Sequence, residues 1–177
     1  MSIRSVLRIG HPSLRGRSTE IPDDWFGSQR LQALVDDLFD TKAACSGAGI
    51  AAPQIGEPWR VFVLGMKHNP RYPEAPPLPE RVVINPAFKA IGEESTTFWE
   101  GCLSVPGLRG EVKRSKYIRL QYQDQEGISH QEELEGFHAY LPGTYVPRWL
   151  ESLQRRWTLG IRDVPPTQLS KHTHTYV

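Results

Sequence analysis

The chain has 177 residues, 38% of them hydrophobic, and 21 Lys and Arg against 20 Asp and Glu give a formal net charge of +1. That length suits one domain able to bury roughly two thirds of the surface its unfolded form exposes. A near-neutral balance without long blocks of like charge argues against a nucleic-acid partner or an anionic membrane surface. No stretch approaches the ~20 apolar residues of a membrane span, and Arg4, Arg8 and Arg15 interrupt any leader-like run near Met1. Two cysteines, Cys45 and Cys102, make no disulfide framework in a chain of this size. The expectation is a soluble, cytoplasmic protein whose thiols are reduced or ligate a metal.

The spacing of Leu31, Leu34, Val35, Leu38 and Phe39 predicts a helix over 29–44, with Asp36, Asp37 and Asp40 on its other side. Ser46 to Gly49 break it, and GIAAPQIG leads as a loop into VFVLGM, a run that suits a buried strand. HNPRYPEAPPLP at 68–79 carries five prolines in twelve residues, which predicts a surface loop without regular structure. RVVINPAF is the next strand, ended by Asn85 and Pro86. Further strands are expected at STTFWEGCLSV, at LRGEVKRSKYIRLQYQD with its turn at Gly127, and at ISHQEELEG. WLESLQRRWTLG reads as a short amphipathic helix through Trp149, Leu150, Leu153 and Trp157, and the rest of the tail shows no period.

Two stretches carry chemistry. In GAGIAAPQIG the paired glycines allow close backbone approach, Ala51 and Ala52 keep the loop slim, and Gln54 adds a donor and an acceptor. This would form a wall for an extended ligand, or else a tight helix-to-strand connection with Gln54 capping a buried backbone group. A helix precedes it and a strand comes after it, so it is no dinucleotide fingerprint. In EGCLSVPG, Cys102 beside Glu100 is a nucleophile, a metal ligand or a small buried hydrophobe.

G-x-G-x-A-A-x-Q followed about fifty residues later by E-G-C-L-S resembles the first two motifs of peptide deformylases, and LRGEVKRSKYIRLQYQDQEG with EGFHA runs as that family does. The resemblance covers residues 1 to about 139 and implies an α+β fold, mixed, with antiparallel strands around a helix-supported metal site. It implies a hydrolase that removes the N-terminal formyl group from formyl-methionyl nascent peptides, with the ribosome surface as a further partner. Cys102 would be the thiolate ligand of a divalent metal, iron by expectation, with zinc or nickel accepted. Gln54 and the backbone N–H of Leu103 would be catalytic, stabilising the oxyanion. Gly47, Gly49, Ile50 and Glu100 would bind substrate, with Arg109 near the peptide exit.

The pattern then breaks. The family's third motif, H-E-x-x-H on a helix, supplies two metal-binding histidines and a general base, and the chain has no such motif. His11, His68, His130, His138, His172 and His174 are its histidines, and HQEEL at His130 has Leu134 in the fourth place. After Ala139, Leu141, Gly143 and Pro147 keep a spacing that resembles the family's L-x-G-x-x-x-P, which comes after the motif. An in-frame deletion of about ten residues is one reading. A shifted frame is the other, since codons for Tyr-Leu-Pro-Gly can read Thr-Phe-Gln one nucleotide later, and the foreign look of 140–177 favours it slightly. The chain therefore divides into an incomplete deformylase-like domain, 1–139, and a divergent tail, 140–177, with the motif helix absent or replaced. His138, His172 and His174 read as solvated surface, and a metal left with Cys102 would be held weakly. Impaired catalysis is expected. A catalytically dead, peptide-binding chain is the second reading and a scaffold exposing Trp149 and Trp157 the third.

Overall fold

A computed structural model describes residues 2–68, 76–136 and 138–139. Helix α1 spans Gln29–Ala44, the bounds its spacing predicts. Ser28 caps it, Oγ accepting from the N–H of Leu31 at 3.2 Å, an arrangement that contributes about 1 kcal/mol. Leu31, Leu34, Val35 and Leu38 are buried while Asp36, Asp37 and Asp40 stay partly exposed, and Asp37 receives Arg4 from the N-terminal arm at 3.0 Å.

The strands are β1 (Gly49–Ala51), β2 (Val61–Met66), β3 (Leu78–Cys102), β4 (Val105–Gln123) and β5 (Ser129–Glu135). They form one antiparallel sheet in that same order. β2 is buried along its whole length because both its faces are covered, which is why it reads as an unbroken apolar run. On one face Val61 and Val63 join Ile50, Ile84 and the apolar stripe of α1. On the other, Phe62 and Leu64 pack with Ala48, Ala51, Leu78 and Val83. No helix among the described residues is long and apolar enough to cross a membrane.

Several expected boundaries move. GIAAPQIG is not all loop, since its first residues form β1 on the edge of the sheet, with Gly49 opposite Leu64 and Ala51 opposite Phe62. The strand expected to stop at Asn85 and Pro86 continues as β3 to Cys102, absorbing STTFWEGC. A register shift between Ile84 and Ala87 lets it pass. There the proline's lack of an N–H is tolerated, and Asn85 takes a left-handed φ of 50°. The Asn85 side chain accepts from the N–H of Ile21 at 2.8 Å and donates to Ile21 O at 3.0 Å and to Gln123 Oε1 at 3.1 Å. Regular structure also reaches into the proline-rich stretch, because β3 begins at Leu78 and includes Pro79. Most of that stretch, 69–75, lies outside the described residues, as do the expected helix around Trp149 to Trp157 and the tail. The turn at Gly127 stands between β4 and β5, where Gly127 N–H donates to Asp124 O at 3.2 Å.

Candidate active site

The motif glutamine and the motif cysteine meet. After β1 the chain makes a short 3-10 turn, Ala52–Ile55, which folds Gln54 into the interior, where it is 2% exposed. Its Oε1 accepts from Ala51 N–H at 2.9 Å. Its Nε2 donates to Ser104 Oγ at 3.1 Å and lies 3.6 Å from Cys102 Sγ. The N-terminal arm closes over this group, Leu7 N–H donating to Gln54 O and Ile9 N–H to Ser104 O, both at 2.8 Å. Both polar atoms of the Gln54 side chain therefore have partners, which removes most of the desolvation penalty of burying an amide. Ser104, itself buried, is a member of the group to which EGCLS alone assigns no role.

Strand alternation explains the arrangement at Cys102. Along the end of β3, Phe98, Glu100 and Cys102 turn to the interior while Trp99, 53% exposed, turns out. Glu100 is 1% exposed, and its two carboxylate oxygens accept from Nε and Nη2 of Arg114 at 2.8 and 2.9 Å. Its cross-strand neighbour is Gly110, which has no side chain to obstruct that reach. Burial raises the Glu100 pKa above its ordinary value, and the hydrogen bonds and charge of Arg114 oppose the rise. A pair separated by fourteen residues in two strands has no local sequence signal beyond matching charge.

The remaining candidates divide between the two sides of the sheet. Gly47 packs on Leu103, whose Cδ1 stands 3.0 Å from where a Cβ on Gly47 would lie. Gly49 and Ile50 belong to β1, and Ile50 is fully buried. β1 is the first strand of the sheet order, so among the described strands only one of its edges is paired. Arg109 stands opposite Gly101 and donates from Nη2 to Trp99 O at 3.0 Å, away from Cys102. Gln54, Cys102, Leu103 and Gly47 are thus brought together, whereas Glu100 is turned to Arg114 and Arg109 lies on the outer face.

Among the described residues the donor set around Cys102 does not complete a divalent-metal centre. Such a centre needs three protein ligands around an open position. Among the described residues no group of three or more His, Cys, Asp or Glu could hold an ion. The buried polar group at Cys102 offers one thiol, an amide and a hydroxyl.

Known proteins share this fold and sequence. The family model described as polypeptide deformylase matches residues 3–142. A peptide deformylase 1 from Nitrosomonas europaea is 46% identical over 163 residues, covering 86% of this chain and 90% of the relative. A peptide deformylase 2 from Ralstonia nicotianae is 45% identical over 180 residues, covering 96% and 98%. Among solved structures, the Met-Ala-Ser-bound class I type b peptide deformylase of Acinetobacter baumannii superimposes with a TM-score of 0.80 at 30% identity, covering 84% of this chain and 94% of that one. The peptide deformylase of Thermotoga maritima gives a TM-score of 0.72 at 29% identity, covering 85% and 93%. The α+β, mostly antiparallel architecture with its single described helix is that of these hydrolases. The chain belongs to the peptide deformylase family.

Proposed function

We propose that the protein is a deformylase-type hydrolase directed at the formyl group of N-terminal formyl-methionine on newly made, cytoplasmic polypeptides, with catalysis impaired in the chain as it stands. The observation that carries this reading is the buried group of Gln54, Cys102 and Ser104 beside the turn that holds Leu103. Gln54 Nε2 and the backbone N–H of Leu103 are the donors for a developing oxyanion, and fixed donors of this kind contribute about 3 kcal/mol each to such reactions. A peptide lies along the unpaired edge of β1, where main-chain groups of Gly47 to Ile50 can extend the sheet by one strand. Glu100 serves the site by placing Cys102, and Arg109 stands towards the exit.

In the family's chemistry a divalent metal, Fe2+ first and Zn2+ or Ni2+ as alternatives, would take Cys102 as its thiolate ligand, and the described residues do not complete a three-ligand set around that thiol. One thiol without H-E-x-x-H explains the impairment. The family match ends at residue 142, close to the proposed boundary near Ala139 between the deformylase domain and a divergent tail, while the Ralstonia nicotianae relative aligns over 96% of the chain.

The test is formate release from N-formyl-Met-Ala-Ser by the purified chain, with and without added Fe2+, Ni2+ or Zn2+. No turnover above background is expected. Turnover abolished by Cys102→Ala would overturn the impairment. Reading the coding DNA from codon 130 in all three frames separates its causes: H-E-x-x-H in a neighbouring frame means a shifted frame, and its absence from all three supports a deletion or divergence.

A further inference from the structure

A buried lysine stands behind the proposed peptide edge. Leu64 of β2 pairs with Arg81 and Met66 with Leu78, so Pro79 and Glu80 of β3 both stand opposite Gly65. A bulge of this kind takes backbone groups out of the ladder. A Cβ on Gly65 would lie 2.6 Å from Glu80 Cα, and Gly65 has a φ of +144°. Its N–H donates to Ala48 O at 2.9 Å, which ties it to the start of β1. Its C=O accepts from Nζ of Lys42 at 2.7 Å.

Lys42 belongs to the last turn of α1, and its side chain is 6% exposed. Its ammonium faces Glu80, with Oε1 at 3.4 Å on a largely exposed side chain, and the Phe39 ring at 5.1 Å. An apolar side chain of similar length would avoid the desolvation that this amine undergoes. What the ammonium adds is a donor for the Gly65 carbonyl. The other end of the same residue grips the loop, since Lys42 O accepts from Gly47 N–H at 2.9 Å and Lys42 Cγ lies 3.5 Å from where a Cβ on Gly47 would be.

We infer that Lys42 is a positioning residue for the peptide-binding edge: through Gly65 at one end and Gly47 at the other, it fixes where Ala48, Gly49 and Ile50 lie. The inference rests on the proposed reading that a peptide adds to β1.

Lys42→Met keeps the methylenes and removes the donor. Ser28→Ala is its control, since it weakens the same helix from the opposite end without touching the edge. Two quantities are measured: the affinity for N-formyl-Met-Ala-Ser by calorimetry, and amide hydrogen exchange at residues 47–51 and 65 against the rest of the sheet. Lys42→Met should lose affinity on the order of tenfold, as an orphaned buried carbonyl implies, with exchange accelerated selectively at those amides. Ser28→Ala should show neither effect selectively. Wild-type affinity and exchange in Lys42→Met would overturn the inference, as would equal responses of the two variants.

If the unsubstituted chain binds no formyl peptide, the proposed function fails and exchange alone decides the role of Lys42: selective loosening upholds it, uniform loosening overturns it. Should Lys42→Met not fold, Lys42→Gln, whose donor falls one bond short, is measured in the same way. Selective loosening of intermediate size supports the inference there, and an unchanged edge overturns it.

Discussion

Replacing Arg114 by Met would leave the Glu100 carboxylate in the interior with neither of its two guanidinium hydrogen bonds, at 2.8 and 2.9 Å. With Glu100 only 1% exposed, water cannot take the place of the lost donors without opening the sheet. Breaking one partner of a buried pair costs about 3–5 kcal/mol, a large share of the stability of an ordinary domain. The loss should depend on pH in a definite direction. Burial raises the Glu100 pKa and Arg114 opposes that rise, so the variant's folded-state pKa stands higher still above the unfolded one. A carboxyl whose folded pKa is raised adds stability below its unfolded pKa, and that contribution is lost as pH climbs through the folded pKa. Acidifying from pH 7 to pH 5 should therefore recover up to about 1.4 kcal/mol per pH unit in Arg114→Met. Adding Glu100→Gln should remove most of that slope. Urea unfolding at both pH values, on the single and double variants, measures these differences directly. A loss below about 1 kcal/mol at pH 7, or a loss of the same size at both pH values, would refute the view that an unpaired charge is what destabilises the protein.

Gly65→Ala should destabilise by about 3 kcal/mol or more, because its Cβ would overlap the backbone of Glu80; a shift of less than 1 kcal/mol in urea unfolding would show that the bulge relaxes freely. Asn85→Ala removes three side-chain hydrogen bonds, two to Ile21 and one to Gln123, at a residue with positive φ. A loss of about 2–3 kcal/mol is expected, with the N-terminal arm released first, and proteolysis near Ile21 reports it. Burial lowers the Lys42 pKa, against the opposing pull of Glu80, so in the folded chain the proton leaves earlier than in the unfolded one. Stability should rise with pH between the lowered folded value and the ordinary lysine value near 10.5, and Lys42→Met should abolish that rise in a pH series of unfolding curves.

Periodic burial is what the sequence made visible. The apolar stripe of α1 and the continuous run of β2 each have one arrangement that hides them, and both stand where their patterns place them. Asn85 and Pro86 mislead because turn-forming residues also serve bulges, and only the partner strand decides which. β1 is too short for a pattern of its own and exists by pairing with β2. At the site, Gln54 and Cys102 were legible through their motifs. Ser104, Arg114 and Lys42 were not, because a serine at the end of a motif, an arginine in a basic strand and a lysine in a last helical turn carry no sign of their role until the fold buries them with their partners.

The strands succeed one another across the sheet in the order in which they succeed one another along the chain. Each strand after the first can therefore dock on a neighbour synthesised before it, and closing each connection restricts only a short length of chain. The longest pairing, β3 with β4, needs only the two-residue reversal at Leu103 and Ser104 to begin. That reversal also places the Ser104 hydroxyl beside Gln54 Nε2, so the step that starts the zipper and the step that builds the polar group around Gln54 are one event. None of this pairing uses a residue beyond Glu135, so the instructions for assembling the sheet lie wholly within the part of the chain that carries the first two motifs.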